Sequence, residues 1–73
     1  MSPRPATDIE ALRSALLEHA RNVVARDGVD GLTMRALAAE AGTAVGLPYK
    51  AFSSRDELLW ELTWMSLVVS LVA

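Results

Sequence analysis

Cysteine is absent from the 73 residues, so neither a disulfide framework nor a thiolate metal site is available, and an intracellular, cytoplasmic home is favoured. Aromatic residues are few: two Trp, one Tyr and one Phe. A surplus of positive charge is missing too. The net charge is −2 and the sequence pI about 5.2, so overall basicity offers no argument for nucleic-acid binding. No apolar run reaches the ~18 residues of a membrane-spanning helix. The opening "MSPRPATD" has no apolar run behind its arginine, which excludes a secretory signal and suggests a short disordered arm over residues 1–7. Repeats, low-complexity tracts and strand-like alternation are also lacking. What remains is an all-α domain, small enough that its core is marginal without a partner.

The apolar content is high, at 52%, and concentrated toward the C-terminus. Ile9, Leu12, Leu16, Ala20 and Val23, joined by Leu17 and Val24, recur at steps of three and four and predict an amphipathic helix over 8–27. Thr7 and Glu10 have the spacing of a capping box at its start, and Gly28 stands where a left-handed residue would end it. After "GVDG", Thr33 is placed to cap a second helix beginning at Met34, with Leu32 and Leu37 at hydrophobic-staple positions. Leu37, Ala38 and Ala41 would face inward, and Gly42 would terminate the helix. A further capping box, Ser54 with Glu57, opens an apolar helix that continues to the last residue.

Between these helices lies "EAGTAVGLPYKAF". Gly46 and Pro48 look out of place there, since a helix interior disfavours glycine and proline by about 1 and 3 kcal/mol against alanine. The difficulty disappears if they sit in a first turn, capped by Thr43 or Ala44, where backbone N–H groups mostly lack intrahelical partners. The proline ring still crowds the Ala44 carbonyl, so a partly 3₁₀ first turn is expected. Two short helices joined by a glycine turn make the helix-turn-helix pattern, whose second helix enters the DNA major groove. Gly46, lacking a side chain, would let backbone approach a phosphate or base edge. Charge supports this locally: from Gly31 to Arg55 three cations, Arg35, Lys50 and Arg55, face one acid, Glu40. Arg35 and Arg55 fall at helix N-termini, where the dipole disfavours a cation, so they read as clamps on a phosphate backbone.

The segment "LTMRALAAEAGTAVGLPYKAFSSRDELL" resembles the DNA-binding domain of TetR-family transcriptional regulators. Thr33, Leu37, Ala38, Ala41, Gly42, Gly46, Tyr49, Phe52, Ser54, Arg55 and Leu58 carry the resemblance, which spans residues 16–60. It implies a homeodomain-like three-helix bundle plus the start of a fourth helix. It also implies roles: Thr33, Tyr49, Lys50 and Arg55 on phosphates, and Arg35, Ala44, Val45, Gly46 and Leu47 toward bases, with Thr43 beside them. Two residues depart from the family wording. Ala44 replaces a capping serine or threonine, and Val45 replaces a polar residue. Arg35 is thus the candidate for reading guanine, because alanine, valine and leucine make no bidentate bonds to bases; groove shape would supply the rest.

Plainer roles compete for some of these residues. Phe52 suits a purely structural place, and Tyr49 is divided between packing and a phosphate bond. His19 has no ligand partner at metal spacing and reads as packing. No nucleophile and base, phosphate-cradling loop, metal cluster or cofactor site can be assembled, so no enzyme is expected. Trp60, Trp64, Met65, Leu67, Val68, Val69, Leu71 and Val72 cover more than one face of the last helix, so something must bury it. The expected organisation is an arm over 1–7, the DNA-binding domain over 8–57, and from 58–73 the start of a helix. In such regulators that helix leads into a domain that binds a small-molecule inducer and forms the homodimer. A fragment of such a regulator, a small protein dimerising through its tail, and a tail lying on a membrane are the competing readings, in that order. The predicted function is a DNA-binding transcriptional regulator, a repressor of operator DNA with no membrane association. The alternative is a helical interaction module that docks through its apolar tail.

Overall fold

Proline is favoured at the first position of a helix, where its fixed φ is already helical and its missing N–H has no partner to lose. The computed structural model describes residues 5–72, with side chains from residue 9 onward, and its first helix, α1, runs Pro5–Asp27. It therefore starts before the expected Asp8. Thr7 lies inside the helix, so the Thr7–Glu10 capping box does not mark its boundary. The rest of the expected arm, residues 1–4, lies outside the described residues. Along α1 the inward stripe is Leu16, Leu17, Ala20 and Val23, with Leu12 and Val24 packed at its edge. Ile9 stays 43% exposed, beyond the reach of the bundle.

Gly28 ends α1 with φ 82°, its N–H donating to the Val24 carbonyl at 2.8 Å. The following link is a 3₁₀ turn, Val29–Gly31, that the sequence pattern does not announce. Gly31 packs so closely on the end of α1 that a Cβ there would lie 2.7 Å from Asp27 Cβ. Helix α2 spans Met34–Ala41, and the Thr33 hydroxyl accepts from the Ala36 N–H at 2.9 Å, as expected of the cap. Leu32 and Leu37 are both fully buried, which closes the staple. Leu37 and Ala38 point inward, Ala41 is half-buried, and Met34 adds a buried side chain at the first helical position.

Gly42 ends α2 at φ 72°, with Thr43 N–H donating to the Ala38 carbonyl at 2.9 Å and Gly42 N–H to Ala39 at 3.2 Å. These two bonds are a Schellman closure, which sends the chain sharply into α3, Gly46–Ala51. Helix α4 spans Arg55–Val72. At its start the Ser54 hydroxyl accepts from Glu57 N–H at 3.3 Å, while the Glu57 carboxylate accepts from the Ser53 hydroxyl at 2.9 Å. One half of the expected box is present; the other half has moved to the neighbouring serine.

The core is built from all four helices around Phe52, the largest fully buried side chain, with Leu16, Val23, Leu32, Leu37 and Leu58. The architecture is all-α, with no strand among the described residues, as the sequence predicts. Leu58 and Leu62 are buried and Leu59 and Met65 pack against the core, so the bundle continues past the expected boundary at residue 57. Arg26 pairs with Glu40 at 3.0 Å across the α1–α2 junction and with its neighbour Asp27 at 3.2 Å within α1. The hydrogen bond to Asp27 first, then that to Glu40, raises the arginine's pKa. The pair is solvent-exposed and adds little to stability.

Gly42→Ala is expected to destabilise the fold by about 1–2 kcal/mol, the cost of forcing a Cβ into the left-handed region. Urea unfolding followed by tryptophan fluorescence checks it.

Candidate nucleic-acid interface

A six-residue helix has two sides, and α3 uses them differently. Pro48 and Ala51, three apart, are buried against the core. Gly46, Tyr49 and Lys50, at spacing i, i+3, i+4, form the opposite face and are exposed, Tyr49 by 52%. Val45, immediately before the helix, is also exposed at 44%, and Ala44 is exposed while Thr43 and Leu47 are half-buried. Tyr49 is thus a surface residue whose hydroxyl is available, whereas Phe52 belongs entirely to the core.

The first turn of α3 explains the awkward glycine and proline. Leu47 N–H donates to the Ala44 carbonyl at 3.1 Å, a three-residue step that tightens the turn as expected. Pro48 is the residue whose N–H would have bonded Ala44 in an α-turn, so the substitution of imide for amide loses nothing there. The cap falls elsewhere than expected. Val45 occupies the N-cap position, in helical conformation and with no side-chain bond, and the Thr43 hydroxyl donates to the Ala44 carbonyl at 3.2 Å instead of accepting from the helix. Side chains leave the leading edge of α3 uncapped. A Cβ at Gly46 would meet nothing within 4 Å, so the space in front of that backbone is open.

Arg35, on the first turn of α2, and Lys50, on the last turn of α3, are exposed and form no ion pair among the described residues. Thr33 is exposed beside Arg35, its oxygen engaged in the cap. Arg55 differs from both. Its Nε donates to the Leu32 carbonyl and its Nη2 to the Val29 carbonyl, the latter at 2.9 Å. A cation at the N-terminus of α4 therefore has an internal reason: it ties α4 to the loop that leads into α2. Two backbone carbonyls already repay the unfavourable position, so the helix dipole by itself gives no reason to expect a phosphate at Arg55.

A family model described as bacterial regulatory proteins, tetR family, matches residues 16–62, more than half of the chain. The chain belongs to the TetR family. Comparison with curated proteins and with solved structures returned no match. Membership makes this TetR-family domain the helix-turn-helix, DNA-binding part of a transcriptional regulator, in a family of regulators and not of enzymes. Helices α2 and α3 are the two arms of the motif, and the Schellman turn at Gly42 is its corner.

Pattern reasoning missed one residue of consequence. Arg13 on α1 donates through Nη1 to the Ala51 carbonyl at 2.8 Å, at the C-terminus of α3. Its Nη2 pairs with Glu61 at 2.9 Å and its Nη1 lies 3.6 Å from Glu57, both on α4. The only sequence signal was an arginine on the edge of the apolar stripe of α1, which by itself reads as a solvated charge. No helix among the described residues is long and apolar enough to cross a membrane.

Arg55→Ala is expected to destabilise the TetR-family domain by about 1.5–3 kcal/mol, since it removes charge-assisted bonds to two carbonyls. Arg55→Lys should recover less than half of that, because an ammonium does not present the arginine fork. Chemical denaturation of both variants checks this, and a loss below about 0.5 kcal/mol would return Arg55 to the role of a free phosphate clamp.

Proposed function

We propose that this domain grips operator DNA with α3 in the major groove, and that the regulator acts as a cytoplasmic repressor. The observation that carries the reading is the bare outer face of α3, with Val45, Gly46, Tyr49 and Lys50 exposed in front of open space. Lys50 and the Tyr49 hydroxyl meet phosphates, with Thr33 alongside; Arg55 contributes only the N–H groups its loop bonds leave free. Arg35 reads a base, and Ala44, Val45, Gly46 and Leu47 pack on groove-facing atoms such as thymine methyls, next to Thr43.

The same proposal extends to assembly. The outer surface of α4 carries Trp60 at 67% exposure, Trp64 at 57%, Leu67 at 55% and Leu71 at 86%. Apolar surface of this kind belongs under another body. We assign it to a ligand-binding and dimerisation domain that would respond to a small-molecule inducer and pair two DNA-binding domains. Two modules would then grip half-sites about 34–36 Å apart, or multiples of that. One module with two free cations at the interface binds weakly by comparison.

Selection of bound duplexes from a random pool tests the reading. Lys50→Ala should weaken binding to every selected sequence alike and reduce the salt slope by about 1. Arg35→Ala should relax preference at one base position, by about 1–3 kcal/mol of discrimination. Gly46→Ala separates folding from binding: the fold should hold or gain up to about 1 kcal/mol, since glycine is the poorer helix former, while DNA affinity drops as the added methyl meets the duplex. Binding that ignores salt between 50 and 200 mM would instead favour docking through the apolar α4 face.

A further inference from the structure

Six residues are too few for a helix to hold its own orientation, and α3 has no side-chain cap at its start. Its far end carries carbonyls that the helix itself leaves unpaired. Phe52 N–H satisfies the Pro48 carbonyl at 2.9 Å. The Ala51 carbonyl is taken by Arg13, 38 residues away on α1, at 2.8 Å. A cation is the charge that this end of a helix favours.

Arg13 is itself held from several directions. Its guanidinium carbon lies 4.9 Å from the centroid of the Phe52 ring, the residue that ends α3. Its Nη2 is 2.9 Å from Glu61 Oε1, and its Nη1 is 3.6 Å from Glu57 Oε2. The Arg13 side chain is 30% exposed, so these bonds are only partly screened. One planar group thus touches α1, α3 and α4 together. The fork geometry matters, because a lysine offers a point charge without a plane to lay on the ring or separate nitrogens to divide between partners.

We propose that Arg13 is a positioning residue for DNA recognition: it fixes the C-terminal end of α3, and Glu61 on α4 acts on α3 through it. The inference rests on the reading of α3 as the DNA-facing helix, but its first test needs no DNA. The hydrogen bond, ion pairs and ring contact of Arg13 go to Ala51, Glu57, Glu61 and Phe52, none of them on the exposed α3 face, so it acts on placement and not on phosphate.

The test uses the whole chain, with Arg13→Met, Arg13→Lys and Glu61→Gln, the last keeping the volume while removing the charge. Amide hydrogen exchange without DNA comes first. Exchange in α3 should rise about tenfold in Arg13→Met relative to α2 and by a smaller factor in Glu61→Gln, with Arg13→Lys restoring little. The double variant should exchange no faster in α3 than Arg13→Met alone, because both changes break one connection. Affinity for a duplex selected by the unaltered chain should then fall about tenfold in Arg13→Met with an unchanged salt slope, whereas loss of a phosphate contact lowers the slope by about 1. Exchange rising equally in all helices reduces Arg13 to general stability and overturns the proposal, as does a changed salt slope or no effect of Glu61→Gln on α3. If α3 responds alone but the unaltered chain selects no duplex, the positioning role stands and the DNA reading falls.

Discussion

The constraint on which this fold turns is the brevity of its recognition helix. Six residues give α3 barely more than one full turn of hydrogen bonds, well short of the ~12–15 residues at which isolated helices become even marginal in water. Its geometry therefore comes from its surroundings. Pro48 and Ala51 anchor one side in the core, Phe52 fills the centre of the bundle, the Schellman turn at Gly42 sets the entry, and Arg13 holds the exit. Glycine and proline, poor choices for a helix that must be self-sufficient, are acceptable in one imposed from outside. With orientation supplied elsewhere, Gly46 leaves the outer face bare, and Pro48 is free to serve as a buried wedge.

Arginine has two distinct uses here, one inside the bundle and one on its surface. Arg13 and Arg55 are internal fasteners, bonded to backbone carbonyls and, for Arg13, to carboxylates, while Arg26 spends its charge on an exposed pair with Asp27 and Glu40. Arg35 and Lys50 form no ion pair among the described residues and are open to the external anion of the proposed reading. A count of basic residues near the motif would overstate the attraction for DNA, and the acidic α4 start at Asp56 and Glu57 lowers it further. With so small a counterion-release term, the proposed operator binding would draw its strength from the pairing of two such domains and from fit of the groove to a largely apolar leading edge.

Much of the fold was legible in the sequence because its signals are local. A cap reads its own helix three residues on, so Thr33, Ser54 and the left-handed Gly42 all stand where their neighbours predict. The inward periodicity of α1 is equally readable, whereas α3 is readable only in part: Gly46 and Lys50 are exposed as expected, but Leu47 and Thr43 are half-buried and the sequence leaves Tyr49 divided. What escaped depends on residues far apart. The partner of Arg13 is a carbonyl 38 positions away, and those of Arg55 are 23 and 26 away. Backbone carbonyls leave no mark in a sequence, so a charge that bonds to one looks like a charge in need of a ligand. The start of α1 was misplaced for the opposite reason: two local signals competed, and the proline at a first helical position outweighed the capping box beyond it.

Helix α4 joins these themes, because it is apolar on opposite sides. Leu58, Leu62 and Met65, at i, i+4 and i+7, face the bundle. Trp60, Trp64, Leu67 and Leu71, at i, i+4, i+7 and i+11, face away from it and remain open. At 100° per residue the two sets are centred roughly half a turn apart. A single-sided helix would need only the first set; the second is the surface on which the proposed second domain would sit. Between the stripes stand Glu57 and Glu61, the carboxylates that hold Arg13. Apolar contacts let packed helices slide by fractions of an ångström at little cost, whereas a guanidinium bonded at 2.8 and 2.9 Å does not stretch freely. A body seated on the outer stripe therefore shares its helix with the pair of carboxylates that steady the exit of α3.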